Sequence, residues 1–515
     1  MTASVAIARV RAARTTWIVW LASGLFFLGL WSFRQPYYPA PWFDEGLNVS
    51  TAATLAQTGQ YALPDSAGPR VFDPAIQTGP TVLAPVALSL RLFGIGIMQA
   101  RAAMLPFVAL ALMTYLLVAR RLLGGDGLLA LLLLVIGNLE PYASFTYMSR
   151  QVLGEVPATG FILLGLLLWW RGLERHGHGQ QNLMWAGLAW GLAMVTKPQI
   201  MLLLPAGVAV LAALDYIYYR QARWRAFIVP GIIAGGCVAA WYGAQFAILG
   251  PAQFENNAAI LRQGAALHII GLDAVHVRHA LGVLWRSGWW AWGLPGIAWG
   301  LWQARRRTWQ GFCHAAALAL PLVALAWFVL FSVGWGRYAF YTLVLSPLWT
   351  AGLLADVWRR RERLKVNLTW RRWIAGALVT AYVGVLGRPL VSNLIAPVDT
   401  GYLAMRDYLA AKVPANAVIE SWEWEMSLEA KQSIHHPTTA VTNLITDYMA
   451  DDRRPPAKVY DARQAQPAYI LVGAFGGWTS IYCAATGSRP ECAGQAPAAD
   501  DVVSFGSYAL YRLRP

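Results

Sequence analysis

Apolar runs of about 17 to 25 residues recur along this chain, each long enough to cross the hydrocarbon core of a bilayer. No other feature limits the fold as tightly. Backbone polar groups inside a membrane must be satisfied within the segment, so the runs are expected as helices. With 57% hydrophobic and only 13% charged residues, the sequence reads as a polytopic α-helical membrane protein.

Charge sets the orientation. The balance of 41 basic against 26 acidic residues gives +15, which in a soluble chain would suggest a nucleic-acid partner. Here the arginines gather in short loops between apolar runs: Arg120 with Arg121, Arg220 to Arg225, Arg305 to Arg307, and Arg359 to Arg363. Such clusters stay on the cytoplasmic side and face anionic headgroups, so no nucleic-acid partner is expected. Arg9, Arg11 and Arg14 precede the first span, Thr16 to Phe33, which carries no small-residue cleavage site and reads as a retained helix. An outer loop at 34–98 follows, its apolar stretch 80–94 expected as an interfacial helix. Spans are expected near 99–120, 127–145, 156–171, 183–197, 199–219, 226–249, 280–303, 313–334, 338–357 and 373–392. That makes about 11, with the N-terminus cytoplasmic and the C-terminus extracytoplasmic.

Asp44 and Glu45 are an adjacent acidic pair in PWFDEGLNVS, on the outer side just beyond the first span. Paired carboxylates there can act as a general base or hold a divalent cation, the plain alternative being two solvated loop charges. Further ionisable groups fall at outer helix ends: Glu155 in SRQVLGEVPATG, Lys197 in AMVTKPQIM, and Arg337 with Tyr338 in VGWGRYAFYTLVLSPL. Charge at that depth is costly unless paired or hydrated, which favours one shared polar cavity. Singly, each has an ordinary role: Glu155 as a helix cap, Lys197 snorkelling to the interface, Arg337 as a surface charge.

Composition changes near Asn393. AVIESWEW, AYILVGA and YALYRL read as strands and DTGYLAMRDYLAAKV as an amphipathic helix. The chain therefore divides into a membrane domain, 1–392, and a small extracytoplasmic α/β domain, 393–515. Cys237 and Cys313 are packing residues of the apolar region. Cys483 and Cys492 in the tail are expected to form a disulfide in an oxidising compartment, the alternative being two free thiols. Glu423 and Glu425 share one face of an expected strand ahead of His435 and His436, a spacing that matches no zinc motif. Asn48-Val49-Ser50 matches a glycosylation sequon.

Taken in order, WFDEGLNVSTAATLAQTGQYAL, FDPAIQTGPTVLAPVALSLRLFG, ARAAMLPFVALALMTYLLVARRLLG, SRQVLGEVPATGFILLGLLL, GLAMVTKPQIMLLLP and RYAFYTLVLSPLWTAGLLA resemble one known family. It is the dolichyl-phosphate-mannose–protein mannosyltransferase family with its bacterial relatives, among them lipid A aminoarabinose transferase. The resemblance covers most of the membrane region to about residue 357. It implies the C-type glycosyltransferase fold, a cavity at the outer membrane face, and a sugar donor carried on a polyprenyl phosphate. By position it makes Asp44 the general base with Glu45 beside it and puts Glu155 at the second acidic site. Asp73, alone or with Glu155, is a candidate ligand for a divalent cation, and no other cofactor is expected. The family's Lys-Pro-Pro reads Thr78-Gly79-Pro80 here, which leaves Lys197, Arg337 and Tyr338 to contact the donor phosphate.

The expected activity is transfer of a sugar from a polyprenyl-phosphate donor to an extracytoplasmic lipid, glycan or protein, in a bacterial inner membrane. A transporter or lipid flippase is the rival from another class, but it would favour charges near mid-span. An oligosaccharide transferase with a diphosphate-linked donor is the rival within the enzymes.

Overall fold

A computed structural model describes residues 24–25, 27–35, 37–137, 140–174, 179–221, 223–360, 384–385, 387–392, 394–456, 459–482, 486 and 501–513. The expected bridge between Cys483 and Cys492, most of the span at 373–392 and much of the first span lie outside these residues. Cys237 and Cys313 are free thiols, the latter fully buried.

Helix α1 (Phe43–Thr58) opens the segment expected as a loop, followed by a short hairpin of β1 (Ala62–Leu63) and β2 (Arg70–Val71). Helix α2 (Pro80–Phe93) is the short apolar helix expected at 80–94, with Pro80 in its first turn. Then come α3 (Ile97–Ala102), α4 (Leu105–Leu123), α5 (Gly127–Ile136), α6 (Phe145–Ser149), α7 (Glu155–Glu174), α8 (Gly179–Thr196) and α9 (Ile200–Tyr219). Helix α10 (Arg225–His268) runs far past the expected end at 249, turning at Gly250, where φ is 73°. The span expected at 280–303 is two helices, α11 (Ala274–Arg286) and α12 (Trp289–Ala304), parted at Gly288. Helices α13 (Trp309–Leu330), α14 (Phe340–Leu345) and α15 (Pro347–Arg360) complete the apolar part. Among the described residues, six helical stretches are long and apolar enough to cross a membrane.

The tail starts with α16 (Gly401–Lys412) and builds a five-stranded sheet. Its strands are β3 (Val418–Ser421), β4 (Ser433–His435), β5 (Tyr469–Val472), β6 (Asp501–Phe505) and β7 (Tyr508–Arg512), in the order β4-β3-β5-β7-β6. β3 pairs in parallel with β4 and β5, while β7 runs antiparallel to β5 and β6. Between strands lie α17 (Thr439–Ala450) and α18 (Ala474–Thr479).

Strand residues alternate between two faces. Ile419, Leu471 and Leu510 meet Tyr402, Met405 and Leu409 of α16. Ile470 and Val472 point the other way and pack with Trp422, Phe43 and Leu47. The second face of the sheet is thus closed by α1, from the other end of the chain. At Gly46 the approach is so tight that a Cβ would lie 2.2 Å from the Glu425 backbone nitrogen. Ser50 Oγ adds a hydrogen bond to the Trp424 carbonyl at 3.1 Å.

Candidate active site

Asp44 and Glu45 both lie in the first turn of α1, where the helix dipole favours negative charge. Neighbours on a helix point about 100° apart, so the two carboxylates reach different surroundings. Glu45 turns inward and is fully buried. Arg101 on α3 holds it with two hydrogen bonds, of 2.8 and 2.6 Å, and the Val152 N–H donates to it at 3.1 Å. A carboxylate so occupied has no face left for a substrate. Asp44 instead reaches a cavity of about 830 Å³.

Arg337 connects the acids. Its two terminal nitrogens bond Asp44 and, at 3.0 Å, Glu155 at the start of α7. Lys197, which follows α8 directly, reaches the same Glu155 oxygen at 3.0 Å. Two acids at helix N-termini and a lysine at a helix C-terminus agree with the backbone dipoles. Asp44 and Arg337 keep 21% and 16% of their side-chain surface exposed, against 4% for Glu155 and 2% for Lys197. The first pair therefore faces the cavity and the second backs it. Lys197, expected at the donor phosphate, is not among the described residues that line the cavity. Tyr338 does line the cavity, stacked near Trp335 with ring centres 6.1 Å apart.

Thr78-Gly79-Pro80 has a packing role. The Gly79 N–H donates to the Thr196 carbonyl at 2.9 Å, and a Cβ there would sit 1.8 Å from the Val195 carbonyl oxygen. This contact fixes α2 against the residue preceding Lys197.

The candidate metal ligands are not gathered into one set. Asp73 is held by Arg70 at 3.3 Å, by the Thr439 hydroxyl and by the Ala75 N–H at 2.8 Å. Glu155 is flanked by two cations. Among the described residues no group of three or more His, Cys, Asp or Glu could hold a metal. A donor set already matched by lysine and arginine repels a further cation, so it does not fit a divalent ion.

Two buried arginines went unread in the sequence. Arg101 also donates to the Gln35 and Pro39 carbonyls, and Arg150 to those of Leu30, Phe33 and Tyr38. Together they pin the chain that leads into α1. Burial, reinforced by the charge of Arg101, pulls the Arg150 guanidinium down to about 10. Their sequence signal was weak, since arginines at span ends ordinarily mark orientation.

The tail departs from expectation around Glu423. β3 ends at Ser421 and a 3₁₀ turn covers Trp424–Leu428, so Glu423 and Glu425 do not lie on a strand. Glu423 accepts the N–H groups of Gly473, Phe475 and Gly476 at the start of α18. Glu425 accepts from the Tyr508 hydroxyl at 2.7 Å. His435 bonds Glu420 at 2.5 Å, and His436 lies flat on Trp424 with ring centres 3.6 Å apart. Asn48 of the sequon is buried, its amide donating to the Val152 carbonyl at 2.7 Å. The tail also supplies cavity wall, from Thr439, Thr442, Asn443 and Thr446 on α17 and from Phe475 and Trp478 on α18.

No protein-family model and no curated protein matches this chain. Solved structures do. ArnT from Cupriavidus metallidurans in the apo state is 14% identical, with 97% of this chain and 98% of that one covered at a TM-score of 0.63. ArnT bound to undecaprenyl phosphate is 13% identical, covering 96% and 98% with a TM-score of 0.64. The archaeal oligosaccharyltransferase AglB from Archaeoglobus fulgidus, in complex with an inhibitory peptide and a dolichol-phosphate, is 12% identical. It covers 88% of this chain and 69% of its own at a TM-score of 0.57. At these identities the likeness is one of fold. The chain is a polytopic α-helical membrane protein of the C-type glycosyltransferase fold, as the sequence resemblance implied.

Proposed function

We propose that this protein is an integral-membrane glycosyltransferase that moves a sugar from a polyprenyl-phosphate donor to an acceptor at the cavity. The observation that carries this reading is the Asp44–Arg337 pair on the cavity wall, backed by Glu155 and Lys197. The solved relatives of like fold are described with undecaprenyl phosphate and dolichol-phosphate, which supports a lipid phosphate as the ligand.

The acceptor oxygen attacks the anomeric carbon, and the bond from that carbon to the phosphate oxygen breaks. The electron pair leaves with the lipid phosphate, which passes from a singly charged diester to a more highly charged monoester. Asp44 takes the acceptor proton, a task suited to a carboxylate within reach of the cavity. Arg337 stabilises the charge that grows on the phosphate. In the resting protein Arg337 ties up Asp44. Donor phosphate competes for the guanidinium, so donor binding frees the base that the reaction then needs. Lys197 and Glu155 position Arg337 from behind. Glu45 holds α1 in place through Arg101.

In the membrane, we place the N-terminus in the cytoplasm and the tail with the cavity on the outer side of a bacterial inner membrane, from the arginine clusters. The deciding assay incubates purified protein with labelled polyprenyl-phosphate sugars and scores free lipid phosphate. Release that depends on Asp44 is expected. No release with any donor would remove the reading.

A further inference from the structure

The charges on the cavity wall limit what can enter it. Among the described residues lining it, Arg337 is the one cation and Asp44 the one anion. If the donor phosphate takes Arg337, no cation is left among the described lining residues for a second anion. An anionic acceptor would then lie beside Asp44 and the departing phosphate with no cation among the described lining residues to offset the repulsion.

Part of that wall is an arc of aromatic rings. Phe43 stacks on Phe475 at 3.9 Å between ring centres, and Phe475 meets Trp478 at 5.5 Å. Trp478 meets Trp335 edge to face at 6.1 Å, and Trp335 lies nearly parallel to Tyr338. The arc joins three separate parts of the chain and ends, at both sides, next to the reacting pair. Phe43 precedes Asp44 and Tyr338 follows Arg337 in sequence. Trp478 is 45% exposed, so its ring offers a face to a ligand. Apolar C–H faces of a pyranose pack well on such rings, and the polar side chains of Thr442 and Asn443 line the same cavity.

We propose that the acceptor is an uncharged saccharide that stacks on this arc at Trp478 and presents one hydroxyl to Asp44. The inference rests on the glycosyl-transfer reading above. It separates the acceptor from phosphorylated glycolipids, which would need a second cation, and from serine- and threonine-rich peptides, whose hydroxyl side chains bring no ring face to match the arc.

Native mass spectrometry on the full chain tests it, with undecaprenyl phosphate as donor mimic. The second probes are neutral hexose oligosaccharides, the same oligosaccharides carrying one phosphate, and a serine/threonine-rich peptide. Neutral oligosaccharide should add to the complex already holding one undecaprenyl phosphate. The phosphorylated form should displace the lipid instead. Trp478→Ala should weaken neutral-saccharide binding about tenfold with undecaprenyl phosphate binding unchanged, and Trp478→Phe should restore most of it. Ternary complexes with the phosphorylated form or the peptide alone would overturn this inference and leave glycosyl transfer standing. So would unchanged saccharide binding in Trp478→Ala. Failure of undecaprenyl phosphate to bind at all would instead remove the underlying reading, and this one with it.

Discussion

At the scale of single residues, the chain gives two adjacent carboxylates different work, and substitution should tell them apart. Asp44→Asn preserves size but removes basicity, so turnover should fall about a hundredfold or more while the melting temperature holds. Undecaprenyl phosphate binding should be kept or tightened, since Asp44 no longer competes for Arg337. Glu45→Gln leaves the fully buried Arg101 without its charge partner. Breaking such a pair from one side costs about 3–5 kcal/mol, so the expected loss is in thermal stability and yield. Near-normal melting of Glu45→Gln would contradict its structural role. Arg337→Ala should weaken undecaprenyl phosphate binding roughly tenfold to a hundredfold, since a charge-assisted contact contributes about 1.5–3 kcal/mol. Lys197→Met should do less, because Lys197 acts only through Glu155. An equal effect of both would mean that Lys197 touches the phosphate. Asp44, Glu155, Lys197 and Arg337 were legible in the sequence because charge interrupts apolar runs at outer helix ends. Their order of depth was not, for it depends on which helices lie in front. Arg101 and Arg150 were missed because an arginine beside a span normally reports orientation.

Among the elements, α1 does the most connecting. Strand and helix patterns in the tail were readable, since β3, β5, β7 and α16 all fall where alternation or amphipathicity put them. Nothing in that pattern told that the second face of the sheet would be covered by a helix near the opposite end of the chain, with Gly46 against Glu425. Such a contact is carried by surface shape, here by a glycine and a backbone. Gly46→Val would force its side chain into the Glu425 backbone nitrogen, where even a Cβ would lie 2.2 Å away. The variant should fold its apolar helices but hold the tail loosely. Limited proteolysis should then cut within 394–513 at least several-fold faster than in wild type. Equal cleavage would mean that the sheet keeps its seat without this contact.

For the whole molecule, the tail and the apolar helices share one cavity, so tail stability bears on activity. Burial raises the Glu425 carboxyl well above its ordinary 4.5, and the nearby Glu423 adds to that. The folded tail therefore keeps a proton that the unfolded chain releases, and stability drops as pH rises from about 4.5 toward the raised value. His436 works in the opposite sense. Burial, with the Arg70 charge, holds it well below 6.5, so its contribution is lost as pH falls below 6.5. Thermal melts of Glu425→Gln and wild type across pH 4.5 to 8 should diverge, the variant gaining relative stability as pH rises. Parallel curves would show that Glu425 carries no proton in the folded tail. The guanidinium shared between Asp44 and Glu155 has a further effect on the time course of the reaction. The spent lipid carrier leaves chemistry with more negative charge than the donor brought, facing the same single cation. It should therefore dwell longer than the donor, giving a rapid first turnover, a slower steady state, and competitive inhibition by added lipid phosphate.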